Sequence, residues 1–202
     1  MKFILLNGPP GSGKDTVASH LIPYLKFTHL KFAAPIKRMV AALLQCDQRT
    51  LEQIKDEPNR ALRFLNQDMI RDDTPRQLLI ALSETLLKPR YGNSVFGNLL
   101  WTEATKSTSK LFVISDCGFQ TEVDRLINFA GASNCLLVRL HREGKNFDND
   151  SRSFLKSNDV KSYDINNNLT PHDLTMRVLS ATIRRWPELE SQLLKEPNWI
   201  RD

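Results

Sequence analysis

One stretch near the start of the chain restricts its fold more than any other. Gly8-Pro9-Pro10-Gly11-Ser12-Gly13-Lys14-Asp15-Thr16 stands between a short apolar run, residues 2–7, and an amphipathic stretch from Lys14 to Leu25. A continuous apolar run of that length, closed by turn residues, is the pattern of a parallel strand buried on both faces. Val17, Ala18, Leu21, Ile22 and Leu25 then gather on one side of a helix. Strand, glycine-rich loop and helix in that order form the setting in which a glycine–lysine loop cradles phosphate. Glycines let main-chain N–H groups converge on phosphate oxygens, and the helix N-terminus adds partial positive charge. Lys14 brings an ammonium group to the β- and γ-phosphates. Gly11, Ser12, Gly13, Lys14, Asp15 and Thr16 are therefore the expected nucleotide-binding residues, with Lys14 catalytic. The residue after such a lysine is usually Ser or Thr, whose hydroxyl binds Mg²⁺. Here it is Asp15, so Asp15 and Thr16 both stand as metal ligands.

The remainder alternates strand and helix signals. Residues 28–32, 111–115, 135–140 and 161–165 read as further strands. Helices are expected near 99–106, 121–130 and 170–186, and a short one in the tail. Thr74-Pro75-Arg76-Gln77 opens another helix, with Thr74 as N-cap, Pro75 at the first helical position and Gln77 completing a capping box. This alternation predicts an α/β domain with a mostly parallel sheet. The helical block at 33–109 is too long for a simple crossover and reads as an insertion beside the sheet. Residues 141–159 are polar and read as a surface loop able to close over a triphosphate.

Asp116 ends an apolar strand, at the sheet edge where ligands bind in open parallel sheets. It is expected to be catalytic, orienting hydrated Mg²⁺ or meeting the acceptor, a role compatible with capping the next helix. Moving a phosphoryl group also needs cations, because charge spreads over its oxygens. Arg38, Arg76 and Arg90 supply them in the helical block. Arg139, Arg142 and Arg152 flank the polar loop, with Arg142 catalytic and the other two on the donor phosphates. Trp101 and Phe32 are candidates for stacking on a base, weighed against ordinary core packing.

Composition narrows the function classes. The formal net charge of +5 suits a polyanionic ligand. No basic stripe interleaved with aromatics marks a stable nucleic-acid partner. The apolar start is too short for a signal sequence, and no stretch has the length to span a bilayer. The three cysteines, Cys46, Cys117 and Cys135, lack zinc or redox spacing, and the histidines are scattered. Reduced thiols in the cytoplasm are expected. A homodimer is left open.

The motifs together resemble the deoxynucleoside monophosphate kinases of bacteriophages, within the P-loop nucleotide kinases. The resemblance is carried by Gly11-Ser12-Gly13-Lys14-Asp15-Thr16, with the family's aspartate after the lysine, and by Lys31 to Lys37. It continues through Thr74-Pro75-Arg76-Gln77-Leu78-Leu79, Ile114-Ser115-Asp116 with Phe119 and Glu122, and Val138-Arg139-Leu140-His141-Arg142. It implies a three-layer P-loop fold with a helical acceptor-binding insertion at about 33–109 and a lid at about 141–159. It also implies ATP as donor, Mg²⁺ as cofactor, a deoxynucleoside monophosphate as acceptor and, for a phage-encoded enzyme, the host cytoplasm. Lys37, Arg38, Arg76, Arg90, Trp101, Asp116 and Glu122 would face the acceptor. Where the family has an arginine two residues after the aspartate, this chain has Gly118. The alternatives are a P-loop kinase of another small molecule and a nucleic-acid-associated NTPase.

Overall fold

A computed structural model describes residues 1–57, 74–148, 150–156 and 159–193. Parts of the stretches expected as insertion, lid and tail helix thus lie outside the described residues. The chain divides into two compact units, Met1–Phe32 with Gly97–Asp202, and Ala33–Phe96.

The first unit is built on five parallel strands: β1 (Lys2–Asn7), β2 (Thr28–Leu30), β3 (Leu111–Ile114), β4 (Cys135–His141) and β5 (Lys161–Asn166). Their order is β2-β3-β1-β4-β5, so β1 is flanked on both sides. Side chains alternate between the two faces of a strand, and β1 buries both. Ile4 and Leu6 pack with Val17 and Leu21 of α1 (Lys14–Leu25) and with Leu174 and Val178 of α8 (Pro171–Arg185). On the other face Phe3 stacks on Phe112 and meets Trp101 of α6 (Val95–Lys106), which stacks on Phe129 of α7 (Gln120–Ala130). The result is a three-layer α/β fold with the P-loop at the carboxyl end of the middle strand. Helix α8 begins as its sequence predicts. The Thr170 hydroxyl accepts from the Asp173 N–H, and Pro171 holds the first helical position.

The second unit is helical: α2 (Ala34–Leu43), α3 (Gln48–Ile54), α4 (Pro75–Ala81) and α5 (Lys88–Tyr91). Its core joins Val40, Ala41, Leu44 and Leu51 to the half-buried Leu78, Leu79 and Leu82. The capping box of Thr74 and Gln77 is formed in both directions. Between α4 and α5 the helix widens into a π turn, Leu82–Leu87. Pro89 has no N–H to donate and its ring crowds the carbonyl four residues back, so the preceding turn opens.

Candidate active site

The loop after β1 has the form that its glycines require. Gly13 has φ +94°, and a Cβ there would stand 2.5 Å from the Asn167 side-chain nitrogen. At Gly8 a Cβ would meet the Leu140 carbonyl oxygen at 2.6 Å. Asn167, 7% exposed just past β5, donates Nδ2 to the Ser12 carbonyl at 2.7 Å and so fixes the floor of the loop. Lys14 folds over the same loop. Its Nζ donates to the carbonyls of Gly8 (2.6 Å) and Pro9 (2.7 Å) and to Ser12 Oγ (3.3 Å). Burial, with the nearby Arg152 guanidinium, brings its pKa down from 10.5 to about 8. The first-turn amides of α1, at the same end of the loop, have no intrahelical acceptor.

Cations converge on the loop from the segment after β4. Arg142 Nη1 donates to the Gly11 carbonyl at 3.0 Å. The Lys145 stem lies across Gly11, its Cε 3.2 Å from where a Cβ would be. Arg152 makes a two-pronged pair with Asp150, and its stem crosses Gly118. Beside these groups is a cleft of about 430 Å³ lined by His141, Arg142, Lys145, Phe147, Phe154 and neighbouring asparagines. His141 stacks on Phe154 at 4.4 Å, and Phe147 meets Phe154 edge-on at 5.0 Å.

Asp15 belongs to a second network. The Ser115 hydroxyl donates to Asp15 Oδ1 at 2.6 Å, and Lys31 Nζ reaches the same oxygen at 2.7 Å. Burial alone would raise the Asp15 carboxyl, but the Lys31 and Ser115 contacts outweigh it and hold it below its ordinary value. His29 Nε2 is 2.7 Å from Ser115 Oγ. Since the hydroxyl proton is given to Asp15, His29 must donate from Nε2. Burial and the Lys31 charge lower its pKa and favour that neutral ring. Asp15 is thus engaged by Lys31 and Ser115, while Thr16 is exposed on the first turn of α1. Among the described residues no group of three His, Cys, Asp or Glu side chains could hold a metal ion.

Several expected site residues have other surroundings. Asp116 Oδ1 accepts the Phe32 N–H at 2.8 Å, tying the chain beyond β2 to the end of β3. It does not cap α7, whose cap position is Phe119 with no side-chain bond. Arg139 pairs with Asp164 and donates to the Leu155 carbonyl. This pairing, with His141, takes the Asp164 carboxyl down to about 2. Arg139 therefore ties β4 to β5, its guanidinium paired with the Asp164 carboxylate as that of Arg152 is with Asp150. Trp101, half-buried, stacks on Phe129 and meets Phe3 near the start of β1, the packing alternative weighed for it. Phe32 is 2% exposed and equally occupied. Glu122 is buried in the first turn of α7. In the helical unit Lys37 pairs with Glu52, and Arg76 pairs with Asp56. Arg38 and Arg90 are exposed on α2 and α5.

Asn7, Lys145, Asn167, Phe147 and Phe154 were missed by sequence reasoning. A run of three asparagines, 166–168, directly after a strand was the one local signal available for Asn167.

Fold and loop together define a P-loop α/β protein. No family model matches the chain. It is 27% identical over 199 residues to a protein of Acanthamoeba polyphaga mimivirus named "Putative deoxynucleotide monophosphate kinase", covering 90% of this chain and 96% of that one. Among solved structures it is similar to a gluconokinase from Sinorhizobium meliloti (TM-score 0.49, 11% identity, 95% and 97% of the two chains). It is also similar to a sugar kinase from a Janibacter species (TM-score 0.47, 12% identity, 94% and 98%). No described helix is long and apolar enough to cross a membrane.

Proposed function

We propose that this protein transfers the γ-phosphoryl group of ATP to a deoxynucleoside monophosphate. The observation that carries the reading is the convergence of Lys14, Arg142, Lys145 and Arg152 on one glycine-lined cradle at the end of β1. The mimivirus relative, similar over nearly its whole length, supports the choice of acceptor. In the reaction, an acceptor phosphate oxygen forms a bond to γ-phosphorus as the bond to the β–γ bridging oxygen breaks, and ADP leaves. The acceptor is already an anion, so no strong base is needed and catalysis is positioning plus electrostatic stabilisation.

The residues present fit a magnesium–triphosphate complex. Lys14, Arg142 and the Lys145 stem gather on the loop as a cationic set that suits a polyanion, and magnesium in such sites takes only one or two protein oxygens beside phosphate and water. The Thr16 hydroxyl and the Asp116 carboxylate would hold it, since Asp15 is taken by Lys31 and Ser115. When bound, the ion would offset the charge of the phosphate oxygens. Lys14 exchanges its carbonyl partners for phosphate oxygens, and Arg142, Lys145 and Arg152 screen the transferred group. Phe154, Phe147 and His141 offer stacking faces to the donor base. Arg38, Arg76, Arg90 and Lys37 remain the proposed acceptor contacts of the helical unit, with Glu122 on the acceptor side.

A coupled assay of ADP formation over the four deoxynucleoside monophosphates, with phosphorylated sugars and DNA as controls, tests this. Turnover confined to a non-nucleotide acceptor, or ATPase activity stimulated by DNA without transfer, overturns it.

A further inference from the structure

Gly118 poses a question that its backbone does not answer. Its φ lies outside the left-handed region, so the main chain has no need of glycine there. What needs glycine is the Arg152 side chain. A Cβ at position 118 would stand 2.4 Å from Arg152 Cδ, 2.6 Å from Cγ and 3.2 Å from Cβ, so the whole stem lies in the space that glycine leaves.

The segment that brings Arg152 there is tied down along its length. Asn7, 0% exposed at the end of β1, donates Nδ2 to the carbonyls of Cys117 (2.8 Å) and Ser153 (3.0 Å), and its Oδ1 accepts from the Leu155 N–H (3.0 Å). Gln120 bonds both the N–H and the carbonyl of Lys156, and Arg139 donates to the Leu155 carbonyl. Residues 151–156 therefore form a strap fastened to the end of β1, the start of α7 and Arg139 within β4. Asp150 then orients the guanidinium.

We infer that Gly118 and Asn7 are positioning residues for Arg152, holding its guanidinium at a fixed place beside the phosphate loop for a polyphosphate ligand. Gly118 provides the seat and Asn7 fastens the strap. The inference rests on the reading of that loop as a triphosphate site. Preorganisation explains the arrangement, because a cation already in place loses no conformational freedom when the anion arrives.

The test uses the full chain, equilibrium binding of a non-hydrolysable ATP analogue with Mg²⁺, and thermal melting. Arg152→Ala should weaken binding about tenfold, the scale of one charge-assisted hydrogen bond. Gly118→Ala should weaken it similarly, and the double variant should be no worse than Arg152→Ala alone, since both act through one contact. Gly118→Ala should also lower the melting temperature, and adding Arg152→Ala should restore it by removing the clash. Affinity and stability should part company in the double variant, where melting recovers while binding stays weak, a separation that a purely structural defect would not give. Asn7→Ser should weaken binding in the wild type but add little to Arg152→Ala. Additive losses, or a Gly118→Ala variant with unchanged affinity and melting, would overturn this inference while leaving the loop intact as a site. Failure of the wild type to bind the analogue would overturn the loop reading and this inference together.

Discussion

Lys14 is held where its charge is costly, and that cost can be read as a pH dependence of stability. Its pKa is about 8 in the fold against 10.5 for an ordinary lysine, through burial and then the repulsion of Arg152. Below pH 8 the side chain is charged in both folded and unfolded chains, and the folded state carries the whole penalty. Between about 8 and 10.5 the unfolded chain holds a proton that the folded one has released, so stability rises with pH. The gap of about 2.5 corresponds to roughly 3 kcal/mol, and screening of a side chain that is only partly buried reduces it to about 2 kcal/mol. Lys14→Met keeps the stem and removes the charge. It also leaves the Gly8 and Pro9 carbonyls without the ammonium, but that loss is constant with pH and cancels from the slope. Urea unfolding of both proteins from pH 7 to 10.5 should therefore show wild type gaining about 2 kcal/mol relative to the variant across that range. Binding of the triphosphate should be lost in the variant at every pH. In wild type it should weaken above pH 8, because only the ammonium form serves the anion. A flat stability difference between the two proteins would refute the claim that Lys14 is electrostatically strained.

Three other outcomes are expected. Asn167→Ala strips the buried Ser12 carbonyl of its donor and should cost about 1–2 kcal/mol of stability, measured by urea unfolding, along with weaker triphosphate binding. Trp101→Ala should cost about 2–3 kcal/mol by opening a gap against Phe3 and Phe129, with the affinity for nucleotide unchanged; lost affinity would return Trp101 to the site. Asp164 has its carboxyl lowered to about 2, so its contribution is complete above pH 4 and is lost as pH falls towards 2. Asp164→Asn should accordingly flatten the acid limb of a melting-temperature profile over that window.

Much of the architecture could be read from local pattern. β1, β3 and β4 are continuous apolar runs because a parallel sheet covered on both faces leaves no polar side to alternate with. Thr74-Pro75 and Thr170-Pro171 announced their helices through capping chemistry that acts within one turn. β2 was harder to bound: its residues are all half-buried, so its apolar signal is weak and it ends at Leu30. The phosphate loop was equally readable, since loop and lysine are contiguous. The rest of the site depends on partners distant in sequence. Arg139 and Arg142 look alike in the sequence, three residues apart. Only the β4–β5 register, which sets Arg139 opposite Asp164, separates a strand tie from a loop contact. Lys145 carries no mark that distinguishes it from other exposed lysines until Gly11 is seen beneath it. Gly118 looked like a missing arginine, whereas its lack of a side chain is what admits Arg152.

Asn7 is the last residue of β1, with β3 on one side and β4 on the other. Such an inner strand exposes no lateral hydrogen-bonding edge to solvent, and its amides exchange with deuterium only when the sheet itself opens. The proposed phosphate cradle is thus hung from an inner strand of the sheet and not from an edge. Heat or denaturant should blunt the outer strands and helix ends well before it loosens the grip on a triphosphate.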